Sequence, residues 1–152
     1  MVQIERAQAA DVPALVELLK TLFAIEQDFQ FDANRQRRGL LRLLEEPPER
    51  ATVLVAREGG AIAGMASAQL VISTAEGAPS AWIEDVVVRE GWRGRGIGRG
   101  LMSKLTDWAR SHGATRIQLL ADRDNAVALD FYRRLGLQQT NLIALKRTQL
   151  DR

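Results

Sequence analysis

From Arg93 to Gly100 the chain reads Arg-Gly-Arg-Gly-Ile-Gly-Arg-Gly, guanidinium and glycine in near alternation. The run follows a stretch of strand-forming residues and opens one of helical periodicity. Backbone amides at a helix N-terminus, backed by the helix dipole, make an anion site. Glycine lets a ligand come close to the backbone, and arginine adds charge and forked hydrogen bonding. A phosphate or pyrophosphate is the natural guest. A P-loop would follow its last glycine with Lys and then Ser or Thr, and the chain contains no Gly-Lys pair. A dinucleotide fingerprint, Gly-x-Gly-x-x-Gly, fails in both registers, ending on Arg99 from Gly94 and on Leu101 from Gly96. The spacing that fits is Arg-x-x-Gly-x-Gly, at Arg93, Gly96 and Gly98.

The residue inventory removes other chemistries. With no cysteine there is no disulfide, thiolate metal site or cysteine nucleophile, and a single histidine, His112, rules out a multi-histidine metal centre. No metal is expected. His112 stands beside Gly113, where a cation suits a helix C-terminus, and reads as a capping residue. The net charge is only +2, so nucleic-acid binding would need clustering of the basic residues rather than their total. They gather at Arg35/Arg37/Arg38, read as a solvated helix face, and at Arg93/Arg95/Arg99. A nucleic-acid partner is therefore not expected. Neither a signal peptide nor a membrane span is evident, so a cytoplasmic protein without a membrane partner is expected.

The elements that must position the glycine–arginine run follow from periodicity. At 152 residues, 46% of them hydrophobic, one domain over residues 1–152 can bury its own core. Val2 to Arg6 is a short edge strand. Asp11 caps a helix with Pro13 in its first turn and Leu15, Leu18, Leu19, Leu22 and Phe23 at helical spacing to about Glu26. Asp32 caps a second helix, stopped by Pro47-Pro48. Ala51 to Arg57, a Glu58-Gly59-Gly60 turn and Ala61 to Ser73 form a hairpin, and Thr74 to Ser80 is a loop. Ala81 to Val88 is a strand, Ile97 onward a helix to Gly113, and Ala114 to Ala121 a strand. A helix from Asn125 ends at Gly136, and strand material lies between Leu137 and Arg147. The order β-αα-βββ-α-β-α-β predicts an α/β sandwich on a mixed sheet. Its three consecutive strands are antiparallel, and the Ala81–Ala121 unit is parallel with a right-handed crossover.

Loop, element order and two further stretches carry a resemblance. Ile83-Glu84-Asp85-Val86-Val87-Val88 directly precedes the loop, and Asp122 to Gly136 reads DRDNAVALDFYRRLG. Together with RGRGIG these resemble the GCN5-related N-acetyltransferase (GNAT) family: its pyrophosphate loop, the strand beside the pantetheine arm, and its Asn…Phe-Tyr…Gly helix. Leu137 stands where that family usually has phenylalanine. The resemblance implies an α/β (α+β) fold, a mostly antiparallel sheet with helices on both faces and a central splayed parallel strand pair.

It also implies acetyl-CoA as cosubstrate, with no metal, and transfer to a primary amine by direct attack. Backbone groups of Val86, Val87 and Val88 would bond pantetheine, and Arg93, Gly94, Arg95, Gly96, Ile97, Gly98 and Arg99 would hold the pyrophosphate. Asn125 and Ala128 would meet the pantetheine end, and Tyr132 would protonate the departing thiolate. The base must be a carboxylate or a water held by one. Strand alternation sets Trp82, Glu84, Val86 and Val88 on one face and Asp85 with Val87 on the other. Glu84 is the first candidate base and Asp85 the second; either could instead pair with an arginine or hold a loop. The acceptor pocket would draw on Glu26, Phe29, Phe31 and Glu84. The density of Glu26, Asp28, Asp32, Glu76 and Glu84 suggests a small cationic amine. The alternatives are a protein or aminoacyl-RNA acetyltransferase and a non-catalytic acyl-CoA-binding module. Family habit and the apolar Leu142–Leu145 run suggest a homodimer.

Overall fold

The structure is a computed structural model, and residues 1–26 and 28–150 are described. The chain divides into two compact units, Met1–Leu119 and a second beginning at Leu120.

The first unit contains β1 (Gln3–Arg6), a short 3-10 turn (Ala9–Asp11), α1 (Val12–Ile25), α2 (Ala33–Glu45), β2 (Ala51–Glu58), β3 (Ala61–Ser73), β4 (Ala78–Val88), α3 (Ile97–Ser111) and β5 (Arg116–Leu119). The sheet order is β1-β2-β3-β4-β5. All pairs are antiparallel except β4 with β5, which run parallel from Ser80↔Arg116 to Ile83↔Leu119. β2 and β3 turn on Gly59 and Gly60, whose φ values of 55° and 87° match the left-handed turn that follows strand twist. β4 starts at Ala78, so Pro79 and Ser80 lie in the strand and the connection before it shrinks to Thr74–Gly77. β5 is shorter than the apolar run Ala114 to Ala121 suggests.

Strand alternation separates two cores. Val53, Val55 and Met65 pack with Leu15, Leu18 and Leu19 of α1 and Leu40 of α2. The opposite face receives α3. A Cβ on Gly64 would stand 3.0 Å from the Val87 carbonyl oxygen and 3.3 Å from both Ile97 and Leu101, so glycine permits the approach of α3.

Asp32 caps α2 as expected, its carboxylate accepting the N–H groups of Asn34 and Arg35. Asp11 does something else. It accepts two bonds from Arg57 Nη2, at 3.0 and 2.9 Å, and one from the Gln8 N–H at 2.9 Å. Burial opposes ionisation of Asp11, but the Arg57 hydrogen bonds and charge and the Gln8 N–H outweigh it and hold its carboxyl below the usual range. Arg57 Nε also donates to Glu5 at 2.8 Å, which fastens β1, β2 and the start of α1 together.

The second unit contains α4 (Ala126–Arg134). Asn125 caps it by accepting the Ala128 N–H at 3.1 Å, and Gly136 closes it at φ 90°. The strand expected between Leu137 and Arg147 is not formed: no regular element follows α4 among the described residues. Thr140 Oγ1 accepts the Leu142 N–H at 3.2 Å, a local turn that competes with an extended ladder. Leu142, Ile143 and Leu145 are exposed. The dimer expectation leaned on an edge strand here, and that strand is absent.

Candidate active site

The site grows from an irregularity in β4. Ser67 pairs with Glu84 while Met65 pairs with Val87, so β4 carries one residue more than β3 across this step. That is a β-bulge. Asp85 adopts φ 57°, the left-handed region that aspartate tolerates better than most residues. The bulge reverses the alternation expected from sequence. Cross-strand partners share a face, so Trp82 (opposite Gln69), Glu84 (opposite Ser67) and Val87 (opposite Met65) lie toward α1 and α2. Val88, opposite Gly64, lies toward α3.

Carboxylates collect at the bulge. Asp85 is half-buried, with Glu84 on the same strand and Glu26 at the end of α1 within electrostatic range. Burial foremost, then the charges of Glu84 and Glu26, push Asp85 up to about 7, against the opposing hydrogen bond of Ser67. Ser67 is buried, and its Oγ lies 3.1 Å from the Glu84 carbonyl oxygen and 3.4 Å from Asp85 Oδ2. Sequence reading passes over Ser67, one small residue in the run Ala63-Gly64-Met65-Ala66-Ser67-Ala68. Its only signal is a hydroxyl within the otherwise apolar run Ala61–Ala68. Glu84 is exposed and accepts the Trp82 Nε1–H at 3.0 Å.

Other expected acceptor residues separate. Glu76 accepts the Thr115 hydroxyl at 2.7 Å and stands 4.0 Å from Arg116, by the start of the parallel pair. Ser80, the residue paired with Arg116, precedes Glu84 by about 13 Å of strand. Phe29 stacks on Phe23 at 5.3 Å, and Phe31 packs against the core with Lys20 5.8 Å from its ring.

β4 leads from the bulge into the glycine–arginine loop. Beyond Ile83↔Leu119 it continues to Val88 with no strand partner on the β5 side among the described residues. Arg93 Nε donates to the Val88 carbonyl oxygen at 3.3 Å and ties the loop back to the strand. Arg95 lies 4.7 Å from the Trp92 ring and 3.8 Å from Glu58. Gly94 and Gly96 both have φ 79°, and a Cβ on either would meet no atom within 4 Å. The space in front of both is open. Gly96 caps α3 without a side-chain partner, and an α-helix leaves its first N–H groups without intrahelical acceptors. Exposed Arg93, Arg95 and Arg99 surround this end. Open glycine backbone, helix amides and guanidinium groups together fit a pyrophosphate.

In the second unit Asn125 is occupied in capping α4, with Ala128 as its donor, and Tyr132 packs edge-on to Phe131 at 5.2 Å. His112 caps α3, its Nδ1 lying 2.9 Å from the Trp108 carbonyl oxygen.

The profile of the acetyltransferase (GNAT) family matches residues 13–137. The chain belongs to that family. Streptothricin acetyltransferase of Streptomyces lavendulae is 47% identical over 62 residues, which are 38% of this chain and 33% of that protein. An uncharacterized N-acetyltransferase of Methanocaldococcus jannaschii is 33% identical over 72 residues, 47% of this chain and 32% of that one. These matches span about a third of the curated relatives' own length. Among solved structures, glucosamine-6-phosphate N-acetyltransferase from Arabidopsis thaliana superposes with a TM-score of 0.78 at 22% identity, covering 98% of this chain and 99% of that one. In this GNAT chain no group of histidine, cysteine, aspartate or glutamate able to hold a metal ion occurs among the described residues. No helix of the described residues is long and apolar enough to cross a membrane.

Proposed function

We infer that this GNAT chain transfers an acetyl group from acetyl-CoA to the primary amine of a small cationic acceptor by direct attack. The observation that carries the reading is Asp85, held on a bulge by Ser67 and flanked by Glu84 and Glu26, on the strand that leads into the open glycine loop. A carboxylate at about 7 is matched to taking a proton from an ammonium near neutral pH. This favours Asp85 over Glu84 as the base and leaves Glu84 and Glu26 to draw in the cationic acceptor.

When bound, acetyl-CoA supplies the activated thioester. The amides from Gly94 to Arg99 would hold its pyrophosphate, and backbone groups of Val86 to Val88 would align its pantetheine. The family resemblance assigns Asn125 and Ala128, which here pair with each other in the cap of α4, to the pantetheine end. By the family resemblance Tyr132 would donate its phenolic proton to the departing thiolate; Asp85 would accept the proton that leaves the amine.

Thiol release from acetyl-CoA across a panel of mono-, di- and polyamines tests the reading. Tyr132→Phe keeps the ring and removes the proton, so turnover falls by about 10²–10⁴-fold while acetyl-CoA affinity holds. Gly96→Val sets a side chain where phosphate must approach, and calorimetric acetyl-CoA binding is lost. No thiol release with any amine, or full affinity in a folded Gly96→Val protein, overturns the proposal.

A further inference from the structure

Between α1 and the end of β4 lies a cleft of about 330 Å³ lined by Glu17, Leu18, Thr21 and Arg89. Leu18 is fully buried and forms its floor, while Glu17 and Arg89 are exposed. Among the described residues neither charged side chain makes an ion pair or hydrogen bond. They line one cavity with opposite charges and do not meet. The β4 bulge is the reason Arg89 is there. Val87 lies toward α1 and Val88 toward α3, so the next residue turns back toward α1, with its N–H donated to the Ala63 carbonyl oxygen at 2.7 Å. Unbroken alternation would have sent Arg89 to the other face.

The pairing of charges selects a ligand class. A simple anion would suit Arg89 and be repelled by Glu17, and a simple cation the reverse. A ligand carrying both charges a few ångströms apart satisfies both groups, and the Thr21 hydroxyl, whose proton goes to the Glu17 carbonyl oxygen at 3.4 Å, can accept from its ammonium. We propose that the cleft binds the zwitterionic end of an amino acid, its carboxylate on Arg89 and its α-ammonium on Glu17. Resting on the acetyl transfer inferred above, this makes the acceptor a diamino acid whose second amine reaches toward Asp85. Side-chain reach must close the distance between the two ends. Asp85 to Arg89 spans about 13 Å of strand, and Glu17 to Glu26 about 13 Å of helix. The six bonds between the two nitrogens of L-lysine extend over about 7 Å, so the Arg89 and Asp85 side chains must lean toward each other to close the rest.

L-norleucine serves as a probe that no side-chain acetylation can consume, because it keeps the zwitterion of L-lysine and lacks the second amine. It binds the wild-type protein by calorimetry or NMR shift changes, and Arg89→Gln and Glu17→Gln each weaken it tenfold or more. Both variants keep the wild-type Tm, since both side chains are exposed and unpartnered. In turnover, Arg89→Gln lowers the kcat/KM preference for L-lysine over 1,5-diaminopentane at least tenfold. Failure of L-norleucine to bind, or equal binding by Arg89→Gln, overturns the cleft assignment even where amines are acetylated. Binding of L-norleucine without acetylation of either diamine supports the cleft and removes the transferase reading instead.

Discussion

Ala78–Ile83 and Glu84–Val88 are successive stretches of one strand, β4, and they are built for different purposes. The first is paired with β3 on one side and, from Ser80 on, with β5 on the other. Ser80, Ala81 and Ile83 within it are buried. The second leaves β5, takes in an extra residue and sets a strained, half-buried aspartate beside two other carboxylates. The regular half secures the sheet, and the irregular half gives up hydrogen-bonding order and ionisation ease around Asp85, the proposed proton acceptor. Strain of this kind persists where the surroundings over-determine it, and buried Ser67 together with the β3 ladder does so here.

Substitutions in each half separate the two purposes. The largest effect is expected from Asp85→Asn, which suits the left-handed backbone and removes the proposed base. Turnover falls by about 10²–10⁴-fold, and the rise of wild-type activity through about pH 7 disappears from the pH–rate profile. Stability moves the other way. A carboxyl whose folded pKa stands above its unfolded value costs stability as pH rises from the unfolded value through about 7, so Asp85→Asn raises Tm at pH 8 and leaves it unchanged near pH 3. A wild-type Tm at pH 8 in this variant would show that Asp85 is not held at a cost.

Next comes the regular half. Ile83→Ala removes a side chain only 1% exposed and lowers stability by about 2–5 kcal/mol in denaturant titration, with acetyl transfer per folded molecule retained. An activity loss matching that of Asp85→Asn would erase the distinction between the halves. The smallest effect is expected from Ser67→Ala. Ser67 lowers the Asp85 pKa, so its removal shifts the activity limb upward by less than about one unit, roughly the worth of one hydrogen bond. A limb that stays in place would reduce Ser67 to packing.

The contrast between halves is also one of legibility. The glycine–arginine loop can be read from sequence because its backbone needs glycine, and Gly94 and Gly96 indeed hold positive φ. The β2–β3 hairpin announces itself through Gly59-Gly60 for the same reason. Asp32, placed before a helical period, is an equally direct signal. The bulge has none: Asp85 is not glycine, and Glu84-Asp85-Val86-Val87-Val88 reads as plain alternation. One inserted residue inverts every face beyond it, which hides Arg89 and joins Glu84 to Val87. Asp11 misleads differently, because its partner Arg57 is remote in sequence and outcompetes the local cap. Leu142–Leu145 has strand composition, but a strand also requires a ladder, and the Thr140 turn takes the Leu142 N–H instead.

Trp92 gives the loop a built-in optical gauge. Its ring lies 4.7 Å from the guanidinium of Arg95, which belongs to the loop proposed to hold the pyrophosphate. An anion settling at Gly94–Arg99 competes for that guanidinium and changes what surrounds the indole. Its emission therefore follows occupancy without an added dye, and Trp92→Phe separates this signal from those of Trp82 at the carboxylates and Trp108 on α3.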